Sequence, residues 1–251
     1  RVVLLGASNL TRGLPDVLGI ARAVGGRPLD VLAALGGGRS YGLRKSLLGR
    51  ELPGIRGCGL WDALEQRPPA PTLALVTDIG NDLLYEVPPD EVAGWVAECV
   101  DRLQRAGAGV VMTVLPTCNV RTVSPALYAS MRTICFPRCR IGLAAMAERV
   151  LDLDARLREL GRRRSLTLAE HRADWYGIDP FHIRRRCRAA AWRAVLSGWA
   201  DTALPPANGA SLWQSIYLRL LAPERRWFFG WERRHEQPTG RLPDGTALSL
   251  Y

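Results

Sequence analysis

The stretch Val2-Val3-Leu4-Leu5-Gly6-Ala7-Ser8-Asn9-Leu10 sets the fold expectation for the whole chain. An apolar run closed by glycine predicts a short buried strand, and the apolar residues from Leu10 to Val24 recur at helical spacing until Gly25-Gly26 interrupts them. The stretch therefore predicts a strand, a turn and the start of a helix. Ser8 lies at the turn, directly after the strand.

The same alternation of short apolar runs and longer helical stretches continues along the chain. Further strands are predicted at 29–35, 72–77, 109–115 and 165–170, and helices at 41–48, 89–106, 141–160 and 183–199. Such alternation is typical of a parallel sheet covered by helices on both faces. We therefore predict a flavodoxin-like three-layer α/β/α sandwich with a five-stranded parallel sheet.

The last part of the chain departs from this alternation. Pro205-Pro206 interrupts it, an amphipathic helix is predicted from Leu212 to Leu221, and Pro243-Asp244-Gly245 predicts a turn between two strands. We therefore expect an α/β domain over residues 1–203 and a C-terminal extension over 204–251, a helix and hairpin packed on that domain.

Polar side chains follow the predicted strands at the points where the strands end. Ser8 follows the first strand, Asn81 follows the third, and Asp179 and His182 share one loop after the fifth. Open parallel sheets bind ligands beyond the carboxyl ends of their strands, so we expect these side chains to face one crevice. A serine hydroxyl becomes a strong nucleophile when a histidine accepts its proton and a carboxylate holds that histidine in the right tautomer. An asparagine amide can stabilise the oxyanion of acyl transfer.

These motifs resemble those of the SGNH hydrolases, the GDSL lipase and esterase family, over residues 2–200. Gly6-Ala7-Ser8 corresponds to the family's Gly-Asp-Ser, with alanine in place of aspartate. Ile79-Gly80-Asn81-Asp82 corresponds to Gly-x-Asn-Asp, with isoleucine in place of the first glycine, and Asp179 to His182 matches Asp-x-x-His fully. The resemblance implies an esterase that acts on a small-molecule ester and uses no metal or organic cofactor.

The resemblance also implies a role for each matching residue. Ser8 is the nucleophile, His182 is the general base, and Asp179 orients the imidazole and stabilises its charged form. Ala7 removes an acidic side chain beside the nucleophile, which is expected to alter the local loop geometry while leaving the triad complete.

The oxyanion hole that the resemblance implies consists of the backbone N–H groups of Ser8 and Gly36 and the side chain of Asn81. Gly36 is chosen by its position after the second predicted strand. Gly37 or Gly38 would take its place if that strand runs further.

Two other hypotheses stay open. Gly38-Arg39-Ser40-Tyr41-Gly42 satisfies Gly-x-Ser-x-Gly, the nucleophile elbow of α/β-hydrolases, which would make Ser40 the nucleophile. That family usually places more sheet before the elbow and a longer interval between acid and histidine, so Ser8 is preferred. Alternatively, the chain is a noncatalytic SGNH-like domain that binds a small ester or a carbohydrate without any turnover that depends on Ser8.

Candidate substrate-binding residues lie near the strand ends and beside the histidine: Arg12, Gly38, Arg39, Asp82 and Arg184. Arginine recognises a carboxylate or a phosphate through paired N–H donors. The competing interpretation of the arginines is a solvated helix face.

The charge balance favours no particular macromolecular partner. The 34 basic and 24 acidic residues give a net charge of +10, and all basic residues except Lys45 are arginines spread along the chain. Because no RNA-binding, zinc-finger or helix-turn-helix signature accompanies this charge, we predict no nucleic-acid partner. Contact of the tryptophan- and arginine-rich tail with a membrane surface is the less favoured interpretation of that tail, and the oligomeric state is not predicted.

The six cysteines are scattered among predicted core segments, which favours reduced thiols in a cytoplasmic compartment. Cys135 and Cys139 are a close pair without nearby histidines, so we predict two packed cysteines rather than a metal site. No apolar run of about 18 residues predicts a membrane span. The chain begins at Arg1, almost inside a strand, so a preceding segment that directs secretion stays open.

Overall fold

Strands and helices alternate as the sequence predicts in the computed structural model, which describes residues 1–47, 49–119, 123–200, 204 and 211–251. The strands are β1 (Val2–Leu5), β2 (Asp30–Ala34), β3 (Lys45–Leu47), β4 (Arg50–Leu52), β5 (Thr72–Val76), β6 (Ala108–Thr113), β7 (Thr167–Ala169), β8 (Arg225–Phe228), β9 (Trp231–Arg234), β10 (Gly240–Arg241) and β11 (Ala247–Leu250). The α-helices are α1 (Ser8–Gly25), α2 (Leu60–Glu65), α3 (Asn81–Leu84), α4 (Pro89–Arg105), α5 (Pro125–Cys135), α6 (Leu143–Arg163), α7 (Arg188–Val195) and α8 (Leu212–Leu220).

The main sheet has the strand order β10-β11-β2-β1-β5-β6-β7. The five strands predicted from the sequence form its continuous parallel part, β2-β1-β5-β6-β7, which is the flavodoxin-like order. Val2 pairs with Val31 on one side and with Leu73 on the other. The predicted three-layer α/β/α fold is therefore confirmed, and strand order reverses at β1.

Helices cover both faces of this sheet because its central strands are apolar on both sides. Val3 and Leu5 of β1 pack into a core cluster with residues of α2, α4 and α6. Val2 and Leu4 point the other way, into a cluster with residues of α1 and α7. The alternating side chains of one strand thus serve two cores, which fixes β1 at the centre of the molecule.

The C-terminal residues add two strands to the predicted five. Strand β11 pairs in parallel with β2, with Leu248 opposite Val31, and β10 pairs antiparallel with β11 across the predicted turn. The extension therefore enters the main sheet as well as packing on the domain. The predicted division between residues 203 and 204 adjoins residues outside the described ranges, and it stays a prediction.

A second, antiparallel sheet, β3-β4-β8-β9, replaces the helix predicted over 41–48. The Ser40 Oγ accepts hydrogen bonds from the backbone N–H groups of Gly42 at 3.1 Å and Leu43 at 2.7 Å. Hydrogen bonds of this kind also occur at helix starts, so they do not exclude a helix. The helical prediction was wrong because residues 45–47 pair antiparallel with Leu52 to Arg50 of the next strand, and Leu48, the last residue of the predicted helix, lies outside the described residues.

The helix predicted over 183–199 is shorter than expected. It consists of α7 between two 3-10 segments, Arg185–Cys187 and Leu196–Trp199. Across the described parts of the chain, no helix combines the length and the apolar character that crossing a bilayer requires.

Candidate active site

The carboxyl ends of the parallel strands open into a cavity of about 390 Å³. Its lining includes Ser8 after β1, Gly38 after β2, Asn81 after β5, Leu115 after β6 and His171 after β7. Each of the five strands predicted from the sequence thus contributes to one crevice. This is where doubly wound sheets place their ligands.

The structure brings Ser8, Asp179 and His182 into one hydrogen-bonded line. The Nε2 atom of His182 lies 3.1 Å from the Oγ of Ser8, and its Nδ1 atom lies 2.7 Å from the Oδ2 of Asp179. Because a carboxylate only accepts, Nδ1 carries the proton and Nε2 is left to accept from the serine hydroxyl. The geometry is that of a nucleophile beside its general base.

The loop that carries Asp179 and His182 is organised by Asp179 itself. Its Oδ1 atom accepts hydrogen bonds from the backbone N–H groups of Phe181 at 3.0 Å and His182 at 3.3 Å. Partial burial opposes ionisation of Asp179, but the hydrogen bonds from His182 and Phe181 outweigh it and hold the pKa of Asp179 below its usual value. Asp179 is therefore ionised throughout the neutral range.

Asn9 joins the start of α1 to the loop of His182, a role that the sequence analysis did not assign. Its Nδ2 atom donates to the Phe181 carbonyl at 2.9 Å and to the Oδ1 of Asp78 at 3.0 Å, and its Oδ1 atom accepts from the Ile183 N–H at 2.9 Å. Ser8 and His182 are adjacent to these contact points. Asn9 thus helps to fix the distance between Ser8 and His182.

Asp78 supplies a carboxylate at the start of α1, where Ala7 provides no side-chain cap. Its Oδ2 atom accepts from the backbone N–H groups of Ala7 at 2.9 Å and Leu10 at 3.0 Å. Asp78 has a left-handed φ of 57°, which aspartate tolerates better than most residues. A negative charge is favourable at a helix N-terminus. Two features of the sequence could have indicated this role: Asp78 follows a buried strand, and Ala7, the residue before α1, has no capping side chain.

The structure corrects the oxyanion-hole prediction at Gly36. Gly36 is buried, and a Cβ atom there would lie 2.2 Å from the Cδ1 atom of Leu52, so its glycine serves close packing. Gly37 and Gly38, the alternatives left open, line the cavity, and Asn81 lines it as well. The Nδ2 atom of Asn81 donates to the Arg39 carbonyl at a long 3.4 Å, so this amide is weakly held.

Two of the predicted substrate-binding arginines do not line the cavity. Arg39 is buried and donates to the carbonyl oxygens of Pro53, at 3.1 Å, and Tyr251. Arg184 donates to the Asp174 carbonyl. Both guanidinium groups are directed at backbone carbonyls, which a sequence pattern of arginines near strand ends does not reveal.

Asp82 and Ser40 form a buried pair, and neither lines the cavity, which corrects the substrate-binding role predicted for Asp82. Asp82 is fully buried and accepts from the Ser40 Oγ and from the Tyr41 N–H at 2.8 Å. Burial raises the pKa of Asp82 to about 6, although both hydrogen bonds oppose the shift. Asp82 therefore does not bind substrate. Ser40 has a carboxyl partner and no histidine, so the alternative nucleophile elbow lacks its base.

Arg12 and Gly38 are the candidate binding residues that the structure places at the cavity. Arg12 is exposed, and among the described residues no side chain forms a hydrogen bond or ion pair with its guanidinium group. The Arg12 side chain is therefore free to meet a ligand at the cavity mouth.

His171 and Tyr176 form a second polar pair in the cavity lining that the sequence analysis missed. The Tyr176 hydroxyl lies 2.6 Å from the Nδ1 of His171. Burial lowers the pKa of His171, which favours the neutral ring. In the described ranges no cluster of three or more histidine, cysteine, aspartate or glutamate side chains has the arrangement of a metal site.

Comparison with known proteins gives likeness at the level of fold. No protein-family model and no curated protein sequence matches the chain. Its structure is similar to that of the psychrotrophic esterase EstA from Pseudoalteromonas sp., inhibited by monoethylphosphonate. The two chains are 13% identical, the match covers 80% of this chain and 99% of that one, and the TM-score is 0.51. It is also similar to Est24, a carbohydrate acetylesterase from Sinorhizobium meliloti (14% identity, 78% and 97% coverage, TM-score 0.54), and to the M. smegmatis aryl esterase (12%, 78% and 94%, 0.51).

Proposed function

We propose that this chain, which has the fold of the SGNH hydrolases, is a serine esterase that forms an acyl-enzyme on Ser8. The observation that carries the proposal is the continuous line from Asp179 through His182 to Ser8, with contacts of 2.7 Å and 3.1 Å. The names of the similar structures support ester hydrolysis in general.

In the first half of the reaction, the Ser8 Oγ attacks the ester carbonyl while the Nε2 of His182 takes its proton. Asp179 stabilises the imidazolium that forms. The carbonyl oxygen becomes an oxyanion, and its donors are the N–H of Ser8, an N–H of the Gly37-Gly38 turn and the Asn81 amide. The Ser8 N–H has no acceptor among the described residues, as expected in the first turn of a helix.

The first half ends when His182 returns the proton to the leaving alcohol oxygen and the bond between that oxygen and the carbonyl carbon breaks, which leaves the acyl group on the Ser8 Oγ. The second half is the hydrolysis of this acyl-enzyme. Water then enters, His182 takes one of its protons, and the resulting hydroxide attacks the acyl-enzyme. The carboxylic acid leaves and Ser8 regains its proton. The same oxyanion donors act in both halves.

The test combines labelling with turnover. The protein is treated with a fluorophosphonate, which reacts with an activated serine, and the modified peptide is identified by mass spectrometry. We expect modification at Ser8 and none at Ser40. Hydrolysis of p-nitrophenyl acetate should fall by about 10³-fold or more in Ser8→Ala.

Ser40→Ala is the matched control. Losing the hydroxyl that Asp82 holds should lower the melting temperature but leave labelling at Ser8 intact. Modification at Ser40 would overturn the assignment of the nucleophile. A folded wild type that neither reacts with the phosphonate nor hydrolyses acetyl esters of phenols and sugars would instead support the noncatalytic binding domain.

A further inference from the structure

The cavity does not end at the triad. It continues beneath α5 and the first turns of α6 as an apolar region, here called the α5–α6 channel, lined by Leu84, Leu115, Tyr128, Met131, Phe136 and Met146. The inference drawn from it rests on the proposed esterase function. Close-packed protein interiors contain few voids larger than a water molecule, so a cavity of about 390 Å³ is space for a ligand.

Helix α5 covers the channel without packing tightly on the rest of the protein. Tyr128 is its one buried residue, whereas Met131 and Cys135 are half-buried and face the cavity. The Tyr128 hydroxyl is satisfied by the Ile141 carbonyl at 2.8 Å. The inner face of α5 therefore lines the cavity, whereas such a face normally packs on other apolar side chains. An apolar ligand in the cavity would complete that packing.

Charge is distributed unevenly along the cavity. Its arginine, aspartate and histidines lie at the triad end, namely Arg12, Asp78, His171 and His182. The lining contributed by α5 and α6 consists of apolar side chains with the Tyr128 ring and the Cys135 thiol. A charged or sugar-like group would lose its hydration there without finding partners, whereas an alkyl chain would not.

We propose that the α5–α6 channel binds an unbranched apolar acyl chain, which makes the substrates esters of medium-chain fatty acids. The acyl group stays bonded to Ser8 until water arrives, so it suits the covered end of the cavity. The alcohol must leave first, and exposed Arg12 and Gly37 mark the open end.

The expected chain-length dependence follows from the burial of methylene groups. Each buried methylene contributes about 0.8 kcal/mol, which corresponds to about a fourfold gain in kcat/KM. For p-nitrophenyl acetate, butyrate, hexanoate and octanoate, we expect kcat/KM to rise by about this factor per methylene until the channel is full. Lengthening the alcohol in a series of alkyl acetates should have a much smaller effect.

Two alanines of α6 provide a matched pair of variants. Ala147 lines the channel and Ala145 is exposed on the other side of the same helix. Ala147→Trp should lower kcat/KM for the hexanoate ester by about tenfold or more and change that for the acetate by less than about threefold. Ala145→Trp should change kcat/KM for neither ester. Met131→Ala, which enlarges the channel, should move the highest kcat/KM of the series to an ester with a longer acyl chain.

A binding measurement separates this proposal from the proposed function. Folded Ser8→Ala protein is titrated with octanoate by calorimetry, and we expect binding that is lost with Ala147→Trp and kept with Ala145→Trp. Ser8-dependent acetate hydrolysis with no gain for longer acyl chains would overturn the channel proposal while leaving the esterase standing. If the wild type has no esterase activity but octanoate binds and Ala147→Trp abolishes that binding, the esterase proposal is overturned while acyl-chain binding in the channel stands. Preference for long alkyl acetates over long acyl esters would also overturn the channel proposal, by placing the alcohol in the channel.

Discussion

Replacing Asn9 with alanine removes its contacts between α1 and the loop of His182 without touching any member of the proposed triad. The substitution removes three hydrogen bonds: two to the loop, at the Phe181 carbonyl and the Ile183 N–H, and one to Asp78. Asp78 keeps its two backbone donors, Ala7 and Leu10, so its charge is not left without partners. The direct loss is therefore in the placement of the loop.

The magnitude follows from the two hydrogen bonds that reach the loop. A hydrogen bond contributes about 1 kcal/mol net, so the arrangement that holds His182 against Ser8 should lose about 2 kcal/mol relative to looser ones. Since 1.4 kcal/mol is a factor of ten, kcat/KM should fall by about 30-fold. Asn119 still holds the loop through the Pro180 carbonyl at 2.9 Å, which makes this figure an upper estimate. The free energy of unfolding should fall by about 3 kcal/mol, because the Ile183 N–H is left buried and unpaired.

The assay is hydrolysis of p-nitrophenyl acetate, with kcat and KM determined separately, alongside urea unfolding. We expect kcat to fall while KM stays within about twofold, because the lost contacts position the base rather than the substrate. Thr11→Val is the control, since the Thr11 hydroxyl donates to the Ala7 carbonyl at 2.6 Å inside α1 and does not reach the loop. It should lower stability by about 1 kcal/mol without changing kcat. A folded Asn9→Ala protein with kcat within about threefold of the wild type would refute the reasoning.

Two further predictions concern stability. The folded-state pKa of Asp82, about 6, lies above its ordinary value, so its contribution to stability is complete at low pH and is lost as the pH rises through 6. Relative to Asp82→Asn, the wild type should lose about 2 kcal/mol of unfolding free energy between pH 4 and 7, and parallel pH profiles of the two proteins would contradict this. Gly13→Ala should lower the free energy of unfolding by about 2 kcal/mol or more, because a Cβ atom there would lie 1.8 Å from the Nε1 of Trp192. Gly94→Ala, at an open position of α4, is the control and should stabilise the protein by about 1 kcal/mol. Equal shifts of the melting temperature in the two variants would show that α1 and α7 adapt freely.

Much of the fold was predictable because its signals are local. A short apolar run, a glycine and a helical spacing all lie within about twenty residues of one another around Ser8, and the same pattern recurs at each later strand. Parallel strands in this order place their carboxyl ends at one edge, so the meeting of Ser8, Asn81 and His182 followed from the alternation itself. The helix predicted over 41–48 was wrong because residues 45–47 pair with β4, which in turn pairs with β8 from the far end of the chain, and spacing alone does not show such partners.

The sequence by itself predicted the five parallel strands of the central sheet and placed Ser8, Asp179 and His182 beyond their carboxyl ends, because Asp179 and His182 are close in the chain and Ser8 directly follows a strand. Only the tertiary structure decided which glycines line the cavity and which arginine stays free. It also decided that Asp78 holds the start of α1 and that Asn9 connects α1 to the loop of His182. The physical reason is that these outcomes depend on partners far away in the chain. The Cβ space at Gly36 is set by Leu52, and the contacts of Asn9 lie 69 to 174 residues away. A local pattern fixes a residue's place on an element, whereas the packing of the whole molecule fixes where its side chain points and what it meets there.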